Sequence, residues 1–329
     1  MNNYSFSLCL LPDRARIHVI KSFDYPELIA LSLISIKFKS LVQSFKLEFK
    51  DLSVKIEDDS LSIDVYYSDD LGLSTFKIYH DFIVIVPESP LVSLDEIPIT
   101  IETISDCYGY DFETIFTWAN PGLSFNGWFE HLRSIFTFSE SSFDLCTSEE
   151  VFDTVAIRNL RPEWKSVLIE SASTEYALKI FELFLACTRE FNAGSINDIA
   201  QFPQKFAIQN YDKLKIFEPF SLDDALVSNT LELTLSNFTV FDYNRFIRSW
   251  IRGSNPRVKR IKMYPDGEII GGKLLIGVQH QIMPANLGRM WNLDWSIRGG
   301  IDFRNKNGIP ATLIIERGNF SCIRMYVWN

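Results

Sequence analysis

Histidine and cysteine are the side chains best suited to bind a metal or to act as a nucleophile, and this chain has few of either. The four histidines are scattered and form no H-x-x-x-H pair, so they predict no metalloprotease-type zinc site. The five cysteines are an odd number and include no C-x-x-C pair. We therefore predict no metal site and no catalytic dyad, although Cys107 with a distant histidine could be imagined as one. The positions are His18, His80, His131 and His280, with Cys9, Cys107, Cys146, Cys187 and Cys322.

Acidic residues offer a second possible chemistry, but their pairs stand at turns and helix starts. Asp58-Asp59, Asp69-Asp70 and Asp223-Asp224 are such pairs, and there a carboxylate stabilises the backbone without a catalytic role. The chain has no G-x-S-x-G elbow and no P-loop, and Gly271-Gly272 is interpreted as a bulge or turn between strands. The sequence thus predicts a protein that is not an enzyme, with no catalytic residues and no cofactor.

Composition narrows the possible partners. The chain has 329 residues, of which 47% are hydrophobic and 22% charged, which predicts a folded chain of about two domains. Its net charge of -10 argues against nucleic acid as a partner, and the basic run between residues 248 and 262 is interpreted as a solvated face. The sequence has no signal-peptide pattern and no apolar run of membrane-spanning length, so we expect no membrane association. The odd number of cysteines favours a cytoplasmic and/or nuclear location.

The spacing of apolar residues divides the chain into four segments. Residues 4–46 have helical periodicity in three short stretches, and Pro26 fits the first turn of the second. Residues 47–101 alternate apolar with polar residues, which predicts a small antiparallel sheet or meander. Residues 126–263 alternate between strand and helix, including a strand at 204–210 and a helix capped by Asp242 and ended by Gly253. Residues 264–329 return to strands, the first at 268–278, with Asn305-Lys306-Asn307-Gly308 as a hairpin turn.

The alternation within residues 126–263 recurs roughly every 20 to 30 residues, which is the range of leucine-rich repeats. The run from Leu231 to Phe238 is close to one such repeat, and Ala-Ile-x-Asn occurs at 156–159 and again at 207–210. An ordinary α/β layer without repeats is the alternative, and we favour irregular repeats. We therefore predict a mixed α/β (α+β) fold: a small three-helix unit, a β-rich segment and an irregular leucine-rich-repeat-like strand/helix domain.

Two regions of the chain resemble a known family of proteins. Residues 7–42, with Leu11-Pro12, Tyr25-Pro26-Glu27-Leu28 and the run from Leu31 to Ser35, resemble the F-box of the large nematode F-box family. The C-terminal part resembles the F-box-associated type 2 domain that accompanies it. That match is carried by F-E-H-L at 129–132, I-Q-N-Y-D-K-L at 208–214, N-R-F-I-R-S-W-I-R-G-S-N-P-R at 244–257 and M-Y-V-W at 325–328. The third run makes the pairing of the two domains specific.

The resemblance implies a receptor that supplies no chemistry itself. An F-box at residues 4–46 would dock on a Skp-type adaptor, which joins it to a cullin, and residues 47–329 would bind an unknown protein substrate for ubiquitination. A three-helix unit this small cannot bury all its apolar side chains alone, which also favours a partner surface. The residues predicted to contact the adaptor are Leu11, Pro12, Val19, Ile20, Phe23, Leu28, Leu31, Leu33 and Ile34.

Three positions depart from the family pattern. Arg14 and Arg16 stand where the first F-box helix is usually apolar, and Ile36 stands where a basic residue is usual. These departures support an alternative, a stand-alone protein-binding module whose F-box is degenerate. For the substrate, exposed aromatic residues near the C-terminus are candidates because aromatics are enriched at interaction hot spots, and we predict Trp291 and Trp295. Glu232, Thr234 and Lys262 are further candidates on a strand face.

Overall fold

The computed structural model describes residues 8–58, 60–69, 72–81, 98–107, 113–147, 156, 160, 164–170, 172–184, 188–194, 209–216, 221–266, 269, 271–292, 295–316 and 321–328. These residues form two compact units. Unit 1 takes its described residues from Met1–Val54, Ser60–Val84 and Val92–Ser141. Unit 2 takes its described residues from Lys55–Asp59 and Ser142–Asn329. Each unit combines helices with strands, so a mixed α/β architecture is confirmed.

Unit 1 begins with the three short helices that the sequence predicts, after a 3-10 turn at Leu8–Leu10. Asp24 starts the second helix, because its side chain accepts from the Glu27 amide while the Glu27 side chain accepts from the Asp24 amide. Pro26 lies in the first turn, where its missing N–H costs nothing. The helices of unit 1 are α1 (Asp13–Ile20), α2 (Tyr25–Ile34), α3 (Ile36–Ser44) and α4 (Phe125–Ile135).

The sheet of unit 1 is the antiparallel meander that alternating residues predict. Each of β2, β3 and β4 pairs in antiparallel fashion with the strand that follows it. Phe76 of β3 contacts Trp128 of α4 at a ring distance of 6.0 Å, which places α4 against the sheet. The strands are β1 (Glu48–Glu57), β2 (Ser60–Asp69), β3 (Gly72–Asp81), β4 (Thr100–Cys107) and β5 (Glu113–Trp118). Both β1 and β6 (Thr137–Cys146) begin in unit 1 and end in unit 2.

Unit 2 opens with parallel strands that alternate with helices. From β6 to β11 the strands lie side by side in chain order, and each is parallel to the next. This order does not distinguish a leucine-rich-repeat-like array from another parallel α/β layer, so the repeat assignment stays a prediction. The elements are β7 (Ser166–Glu170), α5 (Thr174–Phe184), β8 (Glu190–Ala193), β9 (Lys213–Ile216), α6 (Leu222–Val227), β10 (Glu232–Phe238), α7 (Val240–Ile251) and β11 (Arg260–Pro265).

The C-terminal part of unit 2 is antiparallel. The order β11-β15-β14-β13-β12 continues the sheet, and the hairpin predicted at 305–308 joins β13 to β14. The Asn305 side chain accepts hydrogen bonds from the amides of Asn307 and Ile309, which holds the turn. The elements are α8 (Gly271–Leu274), β12 (Gln281–Asn292), β13 (Trp295–Arg304), β14 (Pro310–Glu316) and β15 (Cys322–Val327).

Two local predictions are wrong. Residues 268–278 were expected to form a strand with a bulge at Gly271-Gly272, but residues 271–274 form α8. The reason is tertiary, because the buried Asn244 side chain donates to the carbonyl oxygens of Leu274 and Ile276 and holds this segment against α7. The expected cap of α7 was Asp242; the cap is Thr239, and Asp242 completes its capping box. The strand expected at 204–210 lies outside the described residues except for its last two positions.

Candidate functional site

The three N-terminal helices are attached to unit 1 through aromatic and polar contacts. Tyr25, the first residue of α2, packs its ring 4.6 Å from Phe49 of β1 and 5.0 Å from Tyr67 of β2. Gln43 of α3 donates to the carbonyl oxygen of Ser134 in α4 at 2.7 Å. These contacts give α1, α2 and α3 a buried face, so their remaining surface decides what a partner could reach.

Burial separates the nine residues predicted to contact the adaptor. Ile20, Leu28 and Leu31 are at most 5% exposed, although Ile20 and Leu28 also line a cavity of about 500 Å³ beside Phe23. Their burial stabilises the helices of the free chain, and their contact with the adaptor stays a prediction. The half-buried positions are Leu11, Val19, Phe23 and Leu33, and the exposed ones are Pro12 and Ile34.

Several large apolar side chains of the helices remain in solvent. Leu10 is 85% exposed, Ile34 69% and Ile36 84%, and Ile17 is also exposed. We call these four residues the open apolar set. Only Ile34 belonged to the predicted adaptor surface. Ile34 ends α2 and Ile36 begins α3, so the two side chains flank the capping residue Ser35, whose side chain accepts from the Phe38 amide. The helix-capping Ser35 is visible in the sequence, and it could have indicated that Ile36 begins a new helix next to Ile34.

A groove runs beside these helices and has a mixed lining. Its volume is about 530 Å³, and Phe38 and Leu41 of α3 supply its apolar part. Arg16 also lines it and forms an ion pair with Asp13 within α1. Arg14 is exposed. An arginine held at a groove edge can lay its aliphatic stem on apolar surface and keep its charge in water, so Arg16 does not close the groove to an apolar partner.

One titratable group lies between the helices. His131 of α4 has its Nε2 2.8 Å from the Ser32 hydroxyl of α2. Burial, together with a smaller effect of the nearby Lys39 charge, lowers the pKa of His131 to about 4. The imidazole is therefore neutral at neutral pH and acts as a hydrogen-bonding contact between α2 and α4.

The run from 244 to 257, which carries the family resemblance, builds the interior of unit 2. Asn244 holds the α8 segment, and Phe246, Ile247 and Trp250 are buried. Asn255 is 2% exposed, and its Nδ2 donates to the carbonyl oxygens of Ala225 and Ser228, each at 2.8 Å. These buried side chains are turned to their own chain and support the domain, whereas Arg245, Arg248 and Arg252 of the same run are exposed.

The two tryptophans predicted to bind substrate have different outcomes. Trp291 is half-buried; its Nε1 donates to the Val327 carbonyl oxygen at 3.4 Å, and its ring lies 5.3 Å from that of Tyr326. It therefore helps to attach β12 to β15, which restricts its use as a contact residue. Trp295 begins β13, and its side chain lies outside the described residues. Substrate contact by either residue stays a prediction.

The two cysteines whose side chains are described are Cys146 and Cys322. Burial raises the pKa of the Cys146 thiol to about 11, with Glu170 adding to the effect. Burial and a hydrogen bond to Glu316 likewise raise the pKa of Cys322. Both thiols are therefore protonated at neutral pH. Cys107 lies on β4, and its side chain is outside the described part of the chain. Among the described residues, no group of three or more histidine, cysteine, aspartate or glutamate side chains could hold a metal ion.

Comparison with known proteins finds a family match for two parts of the chain. A family model described as an F-box domain matches residues 8–50, and one described as F-box associated matches residues 202–263, which include the run from 244 to 257. No curated protein and no solved structure matches the chain. The two family matches support an F-box protein with an F-box-associated domain. In general an F-box indicates a non-catalytic adaptor that works with a Skp-type partner and a cullin in a ubiquitin ligase. No helix in the described part of the chain is long and apolar enough to cross a membrane.

Proposed function

We propose that this chain is the substrate-recognition subunit of a Skp-cullin-F-box ubiquitin ligase, of the nematode type, and that it recruits a target protein for ubiquitination. The observation that carries the proposal is the open apolar set. Leu10, Ile34 and Ile36 each leave more than two thirds of their side chain in water on helices that match an F-box. Large apolar residues concentrated in so short a segment are typical of an interaction surface.

The rest of the chain is assigned a binding role without chemistry. We propose that residues 126–263 form irregular leucine-rich-repeat-like units, on the basis of the 20- to 30-residue recurrence in the sequence. The substrate then binds on unit 2 and the adaptor on unit 1. A cytoplasmic and/or nuclear location belongs to the same proposal and rests on the odd number of cysteines in the sequence.

The experiment measures binding of the purified full-length chain to a Skp-type adaptor by calorimetry, with and without the substitutions Ile34→Ala and Ile36→Ala. Each change removes three side-chain carbon atoms. Ile34 is 69% exposed and Ile36 84% exposed in the free chain. At about 0.8 kcal/mol per buried methylene, the two together should cost about 4 kcal/mol, or about 700-fold in Kd.

The matched control is Ile282→Ala on β12, an isoleucine that is 74% exposed and belongs to unit 2. It should leave the adaptor Kd unchanged. If the unmodified chain shows no association at concentrations of about 100 μM, the ligase assignment is wrong. If it binds but the double variant binds equally well, the adaptor surface has been placed wrongly.

A second function is favoured by one observation, the two arginines of α1. Arg14 is exposed, and Arg16 is half-buried and forms an ion pair with Asp13. The family pattern has apolar residues at both arginine positions. A stand-alone binding module with a degenerate F-box would have these residues. The variant with Arg14→Leu and Arg16→Leu separates the two functions. A gain in adaptor affinity of a hundredfold or more, over a chain that binds weakly, favours the degenerate module.

A further inference from the structure

The solvent-facing side of α7 in unit 2 carries positive charge on an otherwise acidic chain. Phe246 and Trp250 of this helix are buried against unit 2. Arg245, Arg248 and Arg252 are exposed. Residues three and four apart lie on the same side of a helix, so these arginines form one stripe that faces away from the core.

A lysine from a distant part of the chain joins this stripe. Lys306, in the turn between β13 and β14, donates its amide to the Ile251 carbonyl oxygen at 2.8 Å. Its side chain lies across Gly253, since a Cβ on that glycine would be 2.7 Å from the Lys306 Nζ. Arg248 is in the last turn of α7, and Arg252 is its C-cap. We call Arg248, Arg252 and Lys306 the α7 cation cluster.

The described residues give this cluster no carboxylate partner. None of the ion pairs among them includes Arg248, Arg252 or Lys306. Asp223 of α6 reaches the same face of α7 but pairs with Arg245 at 2.7 Å, and Arg245 is therefore left out of the cluster. The negative end of the helix dipole offsets only about half a charge, so roughly 2.5 positive charges stay open to solvent.

Exposed apolar side chains lie beside the cluster. Gly277 is next to Arg248, since a Cβ on this glycine would be 3.9 Å from the guanidinium carbon, and the preceding Ile276 is 52% exposed. Phe241, about two turns before Arg248 on α7, is 57% exposed, and the Lys273 ammonium group lies 5.5 Å from its ring centre. The surface thus offers apolar contact as well as charge, which suits a peptide better than a small inorganic anion.

We propose that the α7 cation cluster binds an extended acidic segment of the protein that this chain recruits, with an apolar residue beside its carboxylates. The inference rests on the proposed receptor function and specifies the chemistry of its target. Side chains four apart on a helix are about 6 Å apart at their Cβ atoms, and alternate side chains of an extended segment are about 7 Å apart. Arg248 and Arg252 can therefore each hold one carboxylate through two parallel hydrogen bonds, while the apolar residue lies against Ile276.

The test is fluorescence anisotropy of a labelled ten-residue peptide with the full-length chain. In this Glu peptide Gly alternates with Glu, and one central Leu takes the place of a Glu. Two matched peptides have Gln for every Glu, or Gly for the Leu. The chain should bind the Glu peptide, release it as NaCl rises from about 50 mM to 1 M, and bind the Gln peptide at least tenfold more weakly. Loss of the Leu should weaken binding about fivefold.

Three substitutions locate the binding surface. Arg252→Gln and Lys306→Gln should each weaken binding of the Glu peptide about tenfold. The matched control Arg298→Gln, at an exposed arginine of β13, should change it less than twofold. Each variant should keep its melting temperature within about 2 °C, because exposed side chains contribute little to stability. Since Arg252 and Lys306 lie on separate elements, a fold defect in one variant leaves the other as the test.

The inference is overturned if the Glu and Gln peptides bind alike, if the Glu peptide does not bind at about 1 mM, or if Arg298→Gln loses as much as the cluster variants. Equal binding of the peptides with and without Leu overturns it as well. So does tighter binding of a single-stranded oligonucleotide than of the Glu peptide.

Adaptor affinity, measured on the same preparations, keeps the two proposals apart. Arg252→Gln should leave it unchanged because Arg252 belongs to unit 2. A chain that binds the adaptor but not the Glu peptide removes the α7 cation cluster as a binding surface and leaves the receptor function. A chain that binds the Glu peptide but no adaptor supports the surface and removes the ligase.

Discussion

Asn255 offers a sharp test of whether the run from 244 to 257 is structural. Its Nδ2 donates to the carbonyl oxygens of Ala225 and Ser228 and to the Ser228 hydroxyl at 2.9 Å. Its backbone has φ +49, a left-handed conformation that asparagine and glycine adopt more readily than other residues. One residue therefore combines a backbone requirement with a set of buried hydrogen bonds, and three substitutions can separate the two.

Asn255→Gly keeps the backbone conformation and removes the donor. The Ala225 carbonyl oxygen keeps a donor, because the Ser228 hydroxyl also bonds to it at 2.9 Å, so the loss falls mainly on the Ser228 carbonyl oxygen. A buried acceptor left without a partner costs about 1–3 kcal/mol, and we expect about 2 kcal/mol. Asn255→Ala adds a left-handed alanine, which costs about 1 kcal/mol more.

Asn255→Asp keeps the shape but places carboxylate oxygens against two carbonyl oxygens, and an uncompensated buried charge should cost about 3–5 kcal/mol. Urea unfolding measures the free energies, and hydrogen exchange of residues 221–230 shows whether α6 is the region released. Asn286→Ala, at an exposed asparagine of β12, is the control and should stay within about 0.5 kcal/mol of the unmodified chain. Three Asn255 variants of equal stability, or all three as stable as the control, would refute this account of the run.

Two further predictions concern stability. Because the pKa of His131 is about 4 in the folded chain and 6.5 in the unfolded one, the unfolded chain takes up a proton between those values that the folded chain does not. The free energy of unfolding should therefore fall as pH drops from 6.5 to 4, by about 1–2 kcal/mol after allowance for solvent screening, and urea midpoints of His131→Gln should lack this part of the pH dependence. Gly300 and Gly308 both have positive φ, but a Cβ at Gly300 would come within 2.6 Å of Ile314 Cδ1, whereas one at Gly308 would meet nothing within 4 Å. Gly300→Ala should therefore lower the free energy of unfolding by about 1–3 kcal/mol more than Gly308→Ala, and its melting temperature should fall further. Equal losses of stability in the two variants would show that the backbone conformation alone matters.

Local residue patterns were sufficient for most of the elements. The meander of unit 1 follows from alternating apolar residues, and the β13–β14 turn follows from Asn305 and Gly308, because side-chain period and turn chemistry act over a few neighbours. The start of α7 shows the limit of such patterns. Thr239 and Asp242 form a capping box, in which the side chain of each accepts from the backbone amide of the other. Either residue type can cap a helix, and the folded backbone shows that Thr239 is the cap.

Elements that depend on distant contacts could not be predicted. The strand expected near Gly271 became α8 because Asn244, about 30 residues earlier, bonds to its carbonyl oxygens. Ile20, Leu28 and Leu31 were expected on the adaptor surface because sequence periodicity gives an apolar face but not what covers it. In the folded chain these three side chains are buried, whereas Ile34 and Ile36 stay in solvent.

By itself the sequence determined that the chain has an F-box near one end and an F-box-associated domain behind it, both carried by short local runs and both matched by family models. The tertiary structure alone decided which apolar side chains stay open and which cations meet. Lys215 and Arg324 stand more than one hundred positions apart, yet register places them in one row with Lys262. The physical reason is that hydrogen bonding between strands sets neighbours across a sheet, and nothing in the local sequence specifies them.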